Sequence, residues 1–346
     1  MKHFFTILLT LFSFYASGYA QKPFKVVFYN LENFFDLEND PDVLDDEFTP
    51  EGPKKWTKDK YDKKLSNIEK VFFDIAAINK DYPAVIGVCE IENRNVLEDI
   101  VATKKLSPAN YRIVHYDSPE LRGVDAAFMY RPDVLKLEGS KAIRTVIPSL
   151  PDFKTRDIVT MWGKIDQEDF FFMVAHWPSR LGGKEASAFR RIAVGNQMRH
   201  IADSVRALRP STKVVMMGDF NDDPTDESIS GEKGIGAKIK VKEVTPADYY
   251  APFAALLKAG YGTLAYGDAW NIFDNIVVSG NLINEDKDQL KLKKADNSKF
   301  YGHIFKRHYM VQKEGQFKGY PLRTYVGNNF QGGFSDHFPV YIYIGK

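Results

Sequence analysis

The sequence predicts an α/β fold built on two packed sheets. Three observations carry that expectation. Short apolar runs recur from residue 24 to residue 345, helical patterns interleave with them, and no Pro/Gly/Ser linker divides the chain. The runs are FKVVFYN (24–30), PAVIGVCE (83–90), YRIVHYD (111–117), VDAAFMYRP (124–132), VTMWGKI (159–165), FFFMVAHW (170–177), KVVMMGDF (213–220), FDNIVVSG (273–280) and FPVYIYIG (338–345). Several are almost continuously apolar, as strands covered on both faces are. Residues 60–80 place Leu65, Ile68, Phe72, Ile75 and Asn79 at helical spacing before Pro83. Residues 184–207 do the same with Phe189, Ile192, Ala193, Ile201 and Val205 before Pro210.

The first twenty residues stand apart. They begin with basic residues, hold an apolar centre from Phe4 to Tyr15, and end in Gly18-Tyr19-Ala20. This is the layout of a secretory signal peptide cleaved before Gln21, and the apolar centre is short of the roughly twenty residues a spanning helix needs. No Cys follows the cleavage point to take a lipid, so the expectation is export to periplasm or medium without stable membrane insertion. Residues 21–346 are expected to form a single domain and a monomer, with no heptad or obvious apolar stripe in view.

Composition is ordinary for a globular chain, at 44% hydrophobic and 27% charged. A single cysteine, Cys89, excludes an intrachain disulfide framework; inside AVIGVC it reads as a small buried hydrophobe. Net charge is +1, so no global field draws in nucleic acid, and polyanion binding requires a local patch.

Two segments read as insertions. Residues 36–56 are acidic and turn-rich, a surface loop. The second spans 284–320, and from Lys287 to Tyr320 it carries nine Lys/Arg against three Asp/Glu, interleaved with Phe300, Tyr301, Phe305, Tyr309 and Phe317. Interleaved cations and rings can hold a nucleic-acid strand. The plainer expectation is a β-hairpin arm with a solvated basic face.

Chemistry gathers at the strand ends: YNLEN, CEIEN, AHWPSR, GDFNDDP, WNIFD and SDHFP. Residues two apart on an extended segment project to one side, so Asn30 with Glu32, Glu90 with Glu92, and Asp219 with Asn221 can face one pocket. Six segments rich in Asn, Asp, Glu and His suggest a hard-cation site with histidines for proton transfer. Singly, each has a plainer reading. Asp-Asn after a strand is commonly a turn. His176 can be a satisfied core histidine, Glu32 and Glu92 solvated neighbours, and Asp336-His337 a cap on the last strand.

Together, YNLEN, GVCEIEN, RGVDAAFMYRP, AHWPSR, GDFNDDP, WNIFDNIVVS and SDHFPV resemble the endonuclease/exonuclease/phosphatase family, with its DNase I-like fold. The segments lie in the family's order over essentially the whole chain after residue 24, and the opening YNLENFFD resembles an exported bacterial branch. The resemblance implies a four-layer α-β-β-α sandwich of two packed mixed sheets and a metal-dependent phosphoesterase. It implies metal binding by Glu90, with Asn30 and Asp336 completing or orienting the site, and Mg²⁺ or Mn²⁺ as the ion, with Ca²⁺ as a supporting one. It implies catalytic roles for Asp219 and Asn221, for His337 with its partner Asp274, and for His176, oriented by Asp117. Arg156 falls where some relatives contact phosphate.

The residue types suit phosphodiester hydrolysis in their own right. A bound divalent ion offsets phosphorane charge, and a His–carboxylate pair exchanges protons near neutral pH. Asp219 can be the general base, or can align the water for a base at His337. Asn221 can donate an amide hydrogen bond to phosphate, and Arg180, directly after a strand end, can clamp one. A nucleic acid is the expected substrate. A small phosphoester or lipid head group is the alternative, and a non-catalytic binding protein of the same fold is disfavoured because the acidic and histidine positions are intact.

Overall fold

The computed structural model describes residues 22–283 and 288–346; the expected signal sequence and the start of the second insertion, 284–287, lie outside them. Two sheets face each other. From edge to edge the first runs Lys291–Lys293, Val340–Gly345, Phe24–Phe34, Val85–Ile91, Asp125–Tyr130 and Arg112–His115, with Gly302–Ile304 also paired to Val340–Gly345. The second runs Lys136–Ile143, Ile158–Ile165, Glu168–His176, Lys213–Asp219, Asp274–Ser279 and Tyr249–Tyr250. Both are mixed. Phe24–Phe34 lies parallel to Val85–Ile91, and Glu168–His176 lies parallel to Lys213–Asp219.

Alternation along the strands builds three apolar layers. Val26, Phe28, Val85 and Cys89 meet Phe172, Val174, Val215 and Met217 between the sheets. Their neighbours Val27, Tyr29, Ile86 and Val88 point the other way, onto Ile68, Phe72 and Ile75 of the helix Lys58–Ala77 and onto the helix Arg94–Ala102. Met173, Val214 and Met216 likewise pack on Val194, Met198 and Ala202 of the helix Lys184–Leu208. Helix, sheet, sheet, helix is therefore the layering, and burial on both faces explains the nearly unbroken apolar runs.

Three expectations are corrected. Phe189 is 42% exposed, because the helix Lys184–Leu208 turns a different face inward: Ser187, Arg191, Val194 and Met198. Arg191 is fully buried with its Nε 2.8 Å from Asp222 Oδ2, so ion pairing, invisible to apolar periodicity, sets the rotation. The segment 288–320 is no free hairpin arm. Lys291 registers with Gly345 and Ile304 with Val340, closing one edge of the first sheet. Phe305 and Met310 are buried, Phe300 and Tyr301 pack on the inter-sheet core, and the Tyr309 hydroxyl donates to Asp74 Oδ2 at 2.6 Å. Packing occupies Phe300, Tyr301, Phe305 and Tyr309, which therefore form no row of stacking platforms, and of the five rings Phe317 is the one left exposed. Finally, Glu32 and Glu92 are buried rather than solvated. Residues 36–56 do form a loop, pinned by fully buried Trp56 and by Phe48 stacked on Phe35 at 4.5 Å.

Candidate active site

Parallel pairing within each sheet sends the informative strand ends to one edge of the sandwich. In the second sheet His176 registers with Asp219, and Asp219 with Asp274, setting three polar side chains abreast. In the first, Asn30 registers with Cys89, and the next residue, Glu90, sits in a bulge at φ +57°. Glu32, Asn33 and Asn221 also take positive φ, a conformation that costs non-glycine residues about 1 kcal/mol or more and clusters at functional sites. The bulge aims Glu90 toward the gap between the sheets.

Asp219 is the hub. Its Oδ2 accepts from Asn30 Nδ2 at 3.0 Å and lies 3.6 Å from His176 Nε2 and 3.7 Å from His337 Nε2. Its Oδ1 accepts from the Asn221 backbone N–H at 3.0 Å. Asn30 Nδ2 also donates to Glu90 Oε1 at 3.1 Å, and Glu90 Oε2 accepts from the Asn33 N–H at 3.0 Å. His337 Nδ1 is 2.7 Å from Asp274 Oδ2, completing an Asp274–His337–Asp219 chain. Burial foremost, with Asp274 and Glu90 adding repulsion, pushes the Asp219 carboxyl up to about 6. Burial opposes a charged His337 ring, but Asp274 and Asp219 outweigh it and raise the ring well above its ordinary value. His176 goes the other way: burial, then Arg156 and Arg122, hold it well below, so it stays neutral.

Each expected residue can be placed. Glu90, Asn30, Asp219, Asn221, His176, His337 and Asp274 converge. Asn221 Nδ2 donates to the Trp177 carbonyl at 3.0 Å, and among the described residues its second amide hydrogen has no partner. Asp336 adjoins His337, 3.8 Å from its Nε2, but its other oxygen accepts from Arg323 Nη2 at 2.6 Å, so its charge is already met. Arg156 is buried behind His176, donating to the Trp177 carbonyl at 3.2 Å with Glu120 3.6 Å away. Arg180 is held among Asp222, Asp226 and Asp223 and over the Phe273 ring, bracing the 221–226 loop rather than standing free as a clamp. Asp117 does not meet His176. Its side chain is exposed and nearest to His115, at 3.9 Å.

Some neighbours are not legible from sequence. Arg122, half-exposed, donates to Asn33 Oδ1 at 3.3 Å at the mouth. Arg323 arrives from a distant loop. Fully buried Lys64 donates to Thr324 Oγ1 at 2.6 Å and lies 3.9 Å from Glu32, whose carboxyl burial and Asp336 raise to about 7. An isolated cation on a turn or helix has no periodic signature. Arg122 lies in the quoted RGVDAAFMYRP, and that is the one available hint.

The donor set fits a hard divalent cation. Glu90, His176 and Asp219 each offer a ligand atom within 4.8 Å of the others. Among the described residues neither carboxylate has a Lys or Arg within ion-pair distance, only these histidines. A buried carboxylate, Asp219, beside a largely buried one, Glu90, left in that state favours a bound cation. A cavity of about 330 Å³ lined by Trp162, Phe170 and Arg209 lies at the opposite ends of the same strands and holds none of these groups.

The sequence profile described as the endonuclease/exonuclease/phosphatase family matches residues 25–346. No curated protein matches the chain. Among solved structures, a Bacteroides thetaiotaomicron mannosyl-6-phosphatase aligns with a TM-score of 0.55 at 16% identity, over 93% of this chain and 100% of its own. A humanized D. rerio TDP2 aligns at 0.53 and 13%, over 94% and 99%, and the human nocturnin catalytic domain with bound sulfate at 0.51 and 15%, over 93% and 94%. At such identities these likenesses show a shared fold. The profile match extends over nearly the whole sandwich and all of the converging residues, and on it the chain belongs to the endonuclease/exonuclease/phosphatase family, hydrolases acting on phosphoester bonds.

Proposed function

We propose that this protein is an exported, divalent-metal-dependent nuclease that hydrolyses phosphodiester bonds by attack of water, working as one catalytic unit from Gln21 onward. The observation that carries the reading is the position of Asp219, where its single Oδ2 faces Asn30, His176 and a charged His337 at once. Family members generally use divalent metal ions. Glu90, Asp219 and His176 would hold such an ion, which would supply Lewis-acid neutralisation of phosphate charge. Export rests on the composition of the first twenty residues.

The chain's own groups divide the remaining work. Asp219, as one of the groups that would hold that ion, would keep the attacking water beside the phosphate, its Oδ2 facing Asn30, His176 and His337. His337, kept protonated by Asp274, has Nε2–H to offer a phosphate oxygen. Asn30 holds the Glu90 and Asp219 carboxylates in register through one amide nitrogen. The second amide hydrogen of Asn221 would bond a second phosphate oxygen, a role supported by its nitrogen's being fixed on the Trp177 carbonyl.

A polymeric substrate is favoured by the surface beside Asp336. Cavities of about 370, 230 and 110 Å³ run on from one another, the first two sharing Arg323 and Asp336, the last two Asn33, Phe48 and Lys54. A small phosphoester is the second reading. Each groove cation already has a carboxylate nearby, Lys54 with Glu47, Arg122 with Glu120 and Arg323 with Asp336, so the groove has little surplus positive charge for a long phosphate backbone. Supercoiled plasmid incubated with Mg²⁺ or Mn²⁺ separates the two. Nicking that EDTA and Asp219→Ala both abolish supports the nuclease; intact plasmid with turnover of sugar phosphates supports the second reading.

A further inference from the structure

A cavity of about 370 Å³ at the catalytic edge lies between the hairpin Leu264–Tyr266/Ala269–Asn271 and the loop 312–326, and opens onto Asp336. Its back wall is rigid. The Tyr320 hydroxyl accepts from the Asp268 N–H and donates to Asp268 Oδ1, both at 2.7 Å, tying the loop to the hairpin. The Tyr320 ring leans on Trp270 at 5.9 Å and on Phe317 at 5.8 Å. At the mouth, Tyr266 is 83% exposed and Phe317 36% exposed, two large rings left open to water. Gln316 and Gln312 bring amides to the same cavity, the Gln312 nitrogen already donating to the Glu314 carbonyl at 3.0 Å and its oxygen left to accept.

We propose that this cavity is a base-binding subsite, receiving the nucleobase of the nucleotide whose phosphate lies at His337. The proposal rests on the phosphoesterase reading and adds to it the substrate's second half. Exposed rings at a cavity mouth suit a planar heterocycle, since every base has a π-face to stack. The amides suit its hydrogen-bonding edge. A sugar is a poorer match: hydroxyls call for free acceptors, and the one carboxylate lining the cavity, Asp336, is bonded to Arg323 at 2.6 Å. The volume accepts a group of nucleoside size and not a duplex. Asp336 lines the cavity and its Oδ1 lies 3.8 Å from His337 Nε2, so a base seated here can hang from a phosphate at that histidine.

The test is calorimetric titration of the full chain with adenosine 5′-monophosphate and with ribose 5-phosphate, which carries an anomeric hydroxyl in place of the base. Affinity for the nucleotide is expected to be about tenfold the higher, the effect of one stacked ring. Tyr266→Ala combined with Phe317→Ala is expected to erase the difference, and Phe317→Tyr to keep it. Equal affinities in the wild type, or a preference that survives the double substitution, overturn the subsite. The readout is binding, so it separates from catalysis. Plasmid cutting without base preference defeats the subsite alone, whereas base preference without hydrolysis of any phosphoester upholds the subsite and defeats the proposed activity.

Discussion

Replacing Asp219 by Asn removes a carboxylate that is 2% exposed, faces Asp274 and Glu90, and is held up to about 6. An unfolded aspartate titrates near 3.9, so the native state resists ionisation of this group by about 3 kcal/mol. A carboxyl raised in the folded state leaves stability whole below about pH 4 and lowers it as pH climbs through about 6. The Asp219→Asn variant would escape that loss while keeping an acceptor for Asn30 or Asn221, so it is expected to be dead but more stable. In EDTA at about pH 7.5 its Tm should exceed wild type by roughly 5 °C, and near pH 4.5 most of the gap should close. Added Mg²⁺ or Mn²⁺ should raise the wild-type Tm and leave the variant's nearly unchanged. A variant that melts at or below wild type at the higher pH, or a gap independent of pH, would refute the reasoning.

Other expectations follow from the same contacts. Asp274→Asn deprives the His337 ring of its strongest raising partner, so the alkaline limb of the pH–rate profile should move to lower pH and kcat should fall by about 10²–10⁴. Arg191→Ala leaves Asp222 buried without its closest cation, a loss of about 3 kcal/mol that a urea melt would register. In Gly218→Ala the new methyl would lie 2.0 Å from the Ala175 carbonyl oxygen, on the strand that carries Asp219. Backbone there must shift, so stability should drop by about 2 kcal/mol and kcat should fall with KM little changed.

How far the sequence carries the site varies residue by residue. Asp219, Asn221, His337, Asp274 and Glu90 are legible because each directly adjoins or ends an apolar run, and the run itself announces a buried strand. Asp117 ends such a run too, YRIVHYD, yet its side chain points into water beside His115. The strand Arg112–His115 is the outermost of its sheet, so its end lies away from the seam where the sheets meet. Arg180 follows a site strand and faces carboxylates that its own neighbours in sequence do not reveal. The rings of 288–320 alternate with cations, a pattern equally suited to a binding arm and to an edge segment whose rings turn inward. Edge pairing with Val340–Gly345 turned the rings from Phe300 to Tyr309 into packing, while Phe317, beyond the paired stretch, stays 36% exposed.

By itself the sequence determined the order of strands and helices, the two-sided burial of the strands and the identity of the polar residues at their ends. These are local properties, written in the spacing of apolar side chains along a few residues. Tertiary structure decided which polar ends face one another, which cations are already neutralised, where positive φ turns Glu90 toward the gap, and that Asp336 pairs with Arg323. Charge compensation and backbone strain depend on groups far apart in the chain, here thirteen to more than a hundred residues. No short window of sequence contains both partners.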